Sequence, residues 1–270
     1  MTNSSSSQQG VGVDPSTLSF VAPCRTLEAS APLRWLRLGW ADLTRAPRQS
    51  LTYGGVITLL AYLIGVFVWQ YGTMGLVIGI LSGFIFLGPA LAIGLYSISC
   101  QLQIGRTPQL GYCLREGRRH MGNEALFAVI LLVIFLLWAR AASMVHVFFP
   151  MHSNPDWSEL AVFLGIGTAV GSVFAALIFA ASAFSLPMIM DRKVDMITAV
   201  LTSANAVLRN RTPMAIWAAL IVACVALCLV TGLLGVAVLL PLLGHATWHA
   251  YKDTIVAESW PTHEPIDAQA

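Results

Sequence analysis

Two histidines, His245 and His249, stand four residues apart in "LLGHATWHAYKD" (242–253), where a long apolar run gives out. On a helix they fall one turn apart on one face, a spacing that suits a metal ion or a haem iron. Two such ligands need a third from another element before they form a site. The neighbouring Trp248, Tyr251 and Lys252 are residue types that anchor a helix end among lipid headgroups, so the leading expectation is an interfacial girdle. Two alternatives stand beside it: a metal or haem site, and a buried polar network shared with the Asp191 or Asn210 region.

Other residues invite chemistry singly. Arg140, in "LLWARAASMVH", is a basic residue inside an apolar run. A charge at the centre of a membrane helix costs about 2.5–3.5 kcal/mol on insertion scales, so it either snorkels to the headgroups or meets a ligand, an ion or a partner. Asp191 and Asp195 in "MDRKVD" have a spacing at which two carboxylates can share a metal or a proton. The expected role of Asp191 is instead the N-cap of the helix that follows. Trp40 and Asp42 in "LGWADLTR", and Asn210 in "LRNRTP", complete the candidate functional or structural residues. Cys224 and Cys228, one turn apart in an apolar segment, read as small packing residues. No GxSxG, HExxH, Walker or GxGxxG context occurs, so no catalytic residue is assigned.

The elements that must position these residues follow from the hydropathy. Of 270 residues, 57% are hydrophobic and 10% charged, far from the roughly 25% charged residues of a soluble protein. This is the composition of an integral membrane protein. Apolar runs long enough to cross a bilayer fall at about 51–70, 74–100, 125–149 and 160–190, followed by one from 213 to 250. As a single helix that last run would be about 57 Å long, nearly twice the roughly 30 Å hydrocarbon core. A turn near "TGLLG" (231–235), where Gly232 and Gly235 can adopt turn conformations, divides it into spans at 213–231 and 234–250.

Charge placement supports the resulting count of six. Every lysine and arginine except Arg140 lies before the first span, between the second and third, between the fourth and fifth, or after the sixth. The alternate loops near 71–73, 150–159 and 231–235 contain none. The positive-inside rule then places both termini in the cytoplasm. Residues 1–29 and 256–270 are expected to be disordered cytoplasmic tails flanking a membrane domain over 30–255. None of the five cysteines forms a CxxC pair or falls in an outer segment, so structural disulfides are not expected.

The basic segments share a pattern. Leu33, Leu36, Trp40 and Leu43; Leu110, Leu114, Gly117 and Met121; and Val194, Ile197, Leu201, Ala204 and Leu208 each recur at helical spacing and mark an amphipathic helix. Each is expected to break before the next span, at Pro47, at Gly122 and Asn123, and at Asn210 and Pro213. The expected fold is therefore all-α: a polytopic membrane helix bundle of six transmembrane helices in three hairpins, each preceded by a cytoplasmic amphipathic helix. Small residues at Gly75, Gly79 and Gly83, and at Gly167, Gly171 and Ala175, suit close helix packing. Pro89 and Pro187 would kink the second and fourth spans.

The stretches 33–55, 184–210 and 240–253 resemble the bacterial integral-membrane proteins grouped as domain-of-unknown-function family 2189. The resemblance extends over about residues 30–255 and implies a bacterial inner-membrane location rather than a reaction. Some members carry a cytochrome c oxidase subunit label. A haem-copper core needs six histidine ligands within one bundle, whereas His120, His152 and His263 of this chain's six histidines lie outside the spans. His146 belongs to the opposite membrane face from His245 and His249. The core-subunit role therefore fails on ligand count. The leading functional class is a non-enzymatic scaffold or a small-molecule or lipid-binding membrane module with no cofactor. The alternatives are a redox accessory holding haem or metal through His245 and His249, and a small transporter with Arg140 in its path. The expected partners are the lipid bilayer and, beyond it, other membrane proteins or a second copy of the chain; nucleic acid is not one, because the basic residues sit at membrane edges.

Overall fold

In the computed structural model, which describes residues 19–72, 91, 93–148 and 156–263, the chain is helical and contains no strand among those residues. In order come α1 (Ala31–Arg45), α2 (Pro47–Tyr71), α3 (93–103), α4 (Leu110–Phe148) and α5 (Trp157–Ser182). They are followed by α6 (Ser185–Asp191), α7 (Met196–Arg209), α8 (Arg211–Val230) and α9 (Val236–Thr254). Gly75, Gly79, Gly83, Pro89, His152 and most of the 74–100 run lie outside the described residues, as do the side chains of His120 and His146.

Among the described residues, four stretches are long and apolar enough to cross a bilayer: Pro47–Tyr71, Met121–Val145, Trp157–Asp191 and Arg211–Val230. The long run after residue 213 divides as its length requires. Thr231–Gly235 form a turn in which Gly232 and Leu233 take φ of 60° and 70°. Gly235 keeps an ordinary helical φ of −58° at the start of α9, so the second left-handed residue is a leucine and not the second glycine. The first half of α9 is apolar, whereas its second half from His245 onward carries polar side chains and is packed into the core.

Local sequence explains most of the breaks. Pro32 starts α1, and Pro47 starts α2 directly after Ala46, where a missing N–H does no harm. Asn210 separates α7 from α8 as expected. The expected break at Gly122 and Asn123 is absent, because α4 runs unbroken through both. A helical glycine costs only about 1 kcal/mol, which a long helix absorbs, and the segment has no proline to remove a hydrogen bond. Pro187 acts one turn upstream of itself. Helix α5 ends at Ser182 and α6 restarts at Ser185, since the proline ring excludes the carbonyl of the residue four before it. Ser203 of α7 bridges the gap: its hydroxyl donates to the Ala180 carbonyl (2.7 Å) and accepts from the Phe184 N–H (3.1 Å).

The packed core lies at the arginine-rich end, where α1, α3, α6, α7 and the second half of α9 meet. Buried positions in the long helices cluster towards it, at Ser50, Gly54, Ile57 and Thr58 of α2, Ala181 of α5, and Pro213, Met214 and Trp217 of α8. Beyond these positions the helices expose apolar side chains, as suits surroundings of hydrocarbon. Segments assigned by sequence to tails join the core. Ala22 donates to the Thr202 hydroxyl (3.0 Å), the Arg25 N–H to the Thr254 carbonyl (2.8 Å) and the Val256 N–H to the Pro23 carbonyl (2.9 Å). At the other end the Lys193 N–H donates to the Pro261 carbonyl (2.8 Å), and Trp260 is buried.

In the amphipathic helices small and polar residues make up much of the buried face, together with Trp35 and Leu43 of α1, while several members of the apolar stripes are exposed. In α1, Trp35, Gly39 and Asp42 are buried while Leu33 and Trp40 are exposed. In α7, Thr198, Ala199, Thr202, Ser203 and Ala206 turn inward while Ile197, Leu201 and Leu208 turn outward. At the start of α4, Cys113 and Glu116 are buried while Leu114 and Met121 are exposed. Small and polar residues make the protein contacts because they permit close backbone approach and interhelical hydrogen bonds. A Cβ on Gly39 would lie 2.8 Å from the Ala246 nitrogen, and one on Gly54 would collide with the Ala237 carbonyl oxygen.

Candidate functional site

Helix α9 brings its two histidines to different partners. His245 is fully buried, with Nε2 2.9 Å from the Ser50 hydroxyl at the start of α2 and Nδ1 2.8 Å from the Ser99 hydroxyl on α3. An imidazole carrying one proton donates to one serine and accepts from the other, so both nitrogens are occupied. His249 donates from Nε2 to the Asp42 carboxylate of α1 at 2.7 Å. The headgroup girdle expected here is corrected: the pair forms a buried polar network. Its partners also differ from the expected Asp191 and Asn210. The two rings do not converge on one coordination point, and no group of three His, Cys, Asp or Glu suited to a metal occurs among the described residues.

The residues read as headgroup anchors face inward for the same reason. Trp248 is buried and donates from Nε1 to the Gln103 side chain at 3.0 Å. Tyr251 is buried and donates to Asp191 Oδ2 at 2.8 Å. Burial, reinforced by the Asp191 carboxylate, pushes the Tyr251 phenol well above its ordinary value and keeps it a neutral donor. Lys252 Nζ lies 3.1 Å from Asp191 Oδ2 and packs over the rings of Trp248 and Tyr251.

Asp191 is therefore a junction rather than a cap. It closes α6, and its carboxylate also accepts from Arg192 Nε at 3.0 Å. The N-cap of α7 is Asp195, which accepts from the Thr198 N–H at 2.9 Å. Partial desolvation raises the Asp195 carboxyl, but the Thr198 N–H and hydroxyl outweigh it and hold the group below the usual carboxylate range. The two aspartates thus serve separate structures and share nothing.

Asn210 clamps the N-terminal segment. Its Oδ1 accepts from the Leu27 N–H (2.8 Å), and its Nδ2 donates to the Arg25 and Ala206 carbonyls (3.1 Å each). Trp40 is exposed on α1, and Arg140 is exposed on the outer surface of α4. Arg140 lines none of the three cavities described here. Sequence reasoning missed Ser50 and Ser99, since an isolated serine carries no periodic signal and only the fold aims it at His245.

Two apolar cavities follow α2. One, of about 430 Å³, lies among α2, α3 and α9 and is walled by Ile57, Ala61, Leu95, Leu240 and Leu243. Thr247 at its edge turns its hydroxyl back to the Leu243 carbonyl (2.7 Å), which leaves the interior apolar. The other, of about 340 Å³, shares Ala61 and continues along α2 past Gly65 and Val66 to Trp69.

No match to this chain was found among curated proteins or among solved structures. The family model for a predicted integral membrane protein, DUF2189, matches residues 76–191, which run from before α3 to the end of α6, so this part of the chain is similar to that family.

Proposed function

We propose that the protein is a lipid-binding membrane module whose ligand is an acyl chain held against α2. The observation that carries this reading is that the two apolar cavities share Ala61 in their walls and both follow α2. From Ile57 to Trp69 the groove follows α2 for about 18 Å at 1.5 Å per residue. One leaflet of a roughly 30 Å hydrocarbon core is about 15 Å deep. A groove of that length and polarity fits one extended hydrocarbon tail, which gains from apolar contact and needs no hydrogen bond.

A six-span arrangement in a bacterial inner membrane belongs to the same proposal. The N-terminal segment at Arg25 and the end of α9 at Thr254 are hydrogen-bonded, which supports placing both ends of the domain on one side. Helices α8 and α9 leave that core and return to it through the Thr231–Gly235 turn. The outward Leu33, Trp40, Ile197 and Leu208 are suited to lie against the bilayer surface beside the arginines, with that surface cytoplasmic.

The test uses the purified protein in nanodiscs containing a phospholipid with a photoreactive group on its acyl chain. Crosslinks are expected along Ile57–Trp69 and at Leu240, and Ala61→Trp, which fills the shared wall, should remove most of them. Crosslinks spread evenly around α2, or unchanged in Ala61→Trp, would overturn the reading.

A further inference from the structure

The arginine-rich end carries more positive charge than its own acids neutralise. Most of those acids are already met: Asp42 by His249, Asp191 by Arg192 and Lys252, Asp253 by Arg34, and Glu258 by Arg25. Glu28 accepts from the Ser30 hydroxyl, and Asp195 caps α7. Among the described residues, Arg37, Arg45, Arg48, Arg118 and Arg209 are exposed, and no hydrogen bond or ion pair engages them. Arg106 and Arg119 have partners of their own and border a separate polar cavity of about 240 Å³ with Glu116, so they do not enter this count.

Place in the chain sets the depth of these arginines. Arg45 lies two residues before the candidate span Pro47–Tyr71, and Arg48 lies in its first turn. Arg118 lies three residues before Met121–Val145, and Arg209 two before Arg211–Val230. Such positions lie where a helix leaves the hydrocarbon, at the level of the lipid headgroups. Outward apolar side chains accompany them. Leu33, Arg37 and Trp40 share one exposed face of α1, and Ile197, Leu201 and Leu208 share one exposed face of α7 ahead of Arg209. An apolar stripe edged by guanidinium groups suits a bilayer surface: the stripe enters the acyl boundary, and the arginine heads reach the phosphates. A zwitterionic headgroup cancels its own charge, whereas an anionic one complements the excess of arginine.

We propose that this end of the protein gathers anionic phospholipid from the surrounding bilayer, with the headgroup phosphates held by Arg37, Arg45, Arg48, Arg118 and Arg209. The proposal rests on the placement of that end at the membrane surface and not on the acyl-chain reading, since none of these arginines lines the cavities along α2.

The experiment puts p-benzoylphenylalanine in place of Trp40, of Ile197 or of the exposed Val222 within α8. Each full chain is reconstituted in nanodiscs of equimolar phosphatidylcholine and phosphatidylglycerol and irradiated, and the captured lipid is identified by mass spectrometry. Capture of lipid of either kind reads the placement, and the ratio of the two lipids reads the selectivity. Phosphatidylglycerol is expected at about two- to fivefold over its bulk share at residues 40 and 197, and at its bulk share at 222. High salt should shrink the enrichment. Arg37→Gln/Arg45→Gln/Arg48→Gln should return residue 40 to the bulk ratio, the matching triple lysine variant should keep the enrichment, and Ala61→Trp should leave it unchanged. Capture at residues 40 and 197 in the bulk ratio overturns the proposal while the placement stands. Absence of lipid there, or capture of a second copy of the chain in its place, overturns the placement and the proposal together.

Discussion

The Nε2 of His249 lies 2.7 Å from Oδ2 of Asp42, one helical turn from the contact of Gly39 with Ala246, so a charged hydrogen bond and a glycine notch together hold α1 against α9. Asp42 is buried and His249 partly so, which makes either partner costly to leave alone. Asp42→Ala is expected to destabilise by about 1–3 kcal/mol and Asp42→Asn by less, since an amide oxygen still accepts the N–H. A double-mutant cycle with His249→Ala, read by unfolding in mixed micelles, should give a coupling of about 0.5–3 kcal/mol. Strictly additive losses would show that the pair does not interact.

Adjacent glycines of α2 predict opposite outcomes. A Cβ on Gly54 meets the α9 backbone at Ala237, whereas one on Gly55 meets nothing within 4 Å. Gly54→Ala should cost about 1–3 kcal/mol through overpacking. Gly55→Ala should be neutral or stabilise by up to about 1 kcal/mol through helix propensity. The comparison of the two midpoints checks the α2–α9 approach, and equal effects would refute it.

Asp195 gives a pH dependence. Its carboxyl is held below the ordinary value by the Thr198 N–H and hydroxyl. The charged cap therefore contributes fully above the unfolded value of about 4 and loses its contribution as pH falls through the folded value. Asp195 is exposed, which keeps the electrostatic share small. Asp195→Ala should cost about 0.5–2 kcal/mol at neutral pH, whereas Asp195→Asn should retain most of the cap but flatten the acid limb. A stability curve below pH 5 unchanged by Asp195→Asn would rule this out.

Asn210 predicts a local rather than a global effect. Its Oδ1 holds the Leu27 N–H and its Nδ2 the Arg25 carbonyl. Asn210→Ala should speed amide exchange at Leu27 by roughly tenfold, the equivalent of about 1.4 kcal/mol, with a smaller change on α2. Exchange by mass spectrometry over residues 22–27 reads this directly, and an unchanged rate there would show that other contacts dock the segment.

Much of the architecture is legible from local chemistry. Pro47, Asn210 and Gly232 mark breaks because each limits or frees the backbone at its own position. The Gly122 break failed because a glycine weakens a helix without ending it. Periodicity found α1 and α7 as amphipathic helices but did not say which residues pack inward, since in contact with lipid an apolar stripe has no reason to turn towards the protein.

The site was legible only as residue types. Asp191, Asn210, His245 and His249 stand out in the sequence as polar candidates, and each finds partners distant in sequence: Lys252, Leu27, Ser50 with Ser99, and Asp42. The sequence by itself determined an integral membrane protein of apolar helices with a basic end, because the cost of exposing hydrocarbon to water is additive along the chain. Only the tertiary structure decided that His245 and His249 serve different partners and that two apolar cavities lie against α2. Hydrogen bonds and cavities depend on where separate helices meet, and no local pattern encodes that.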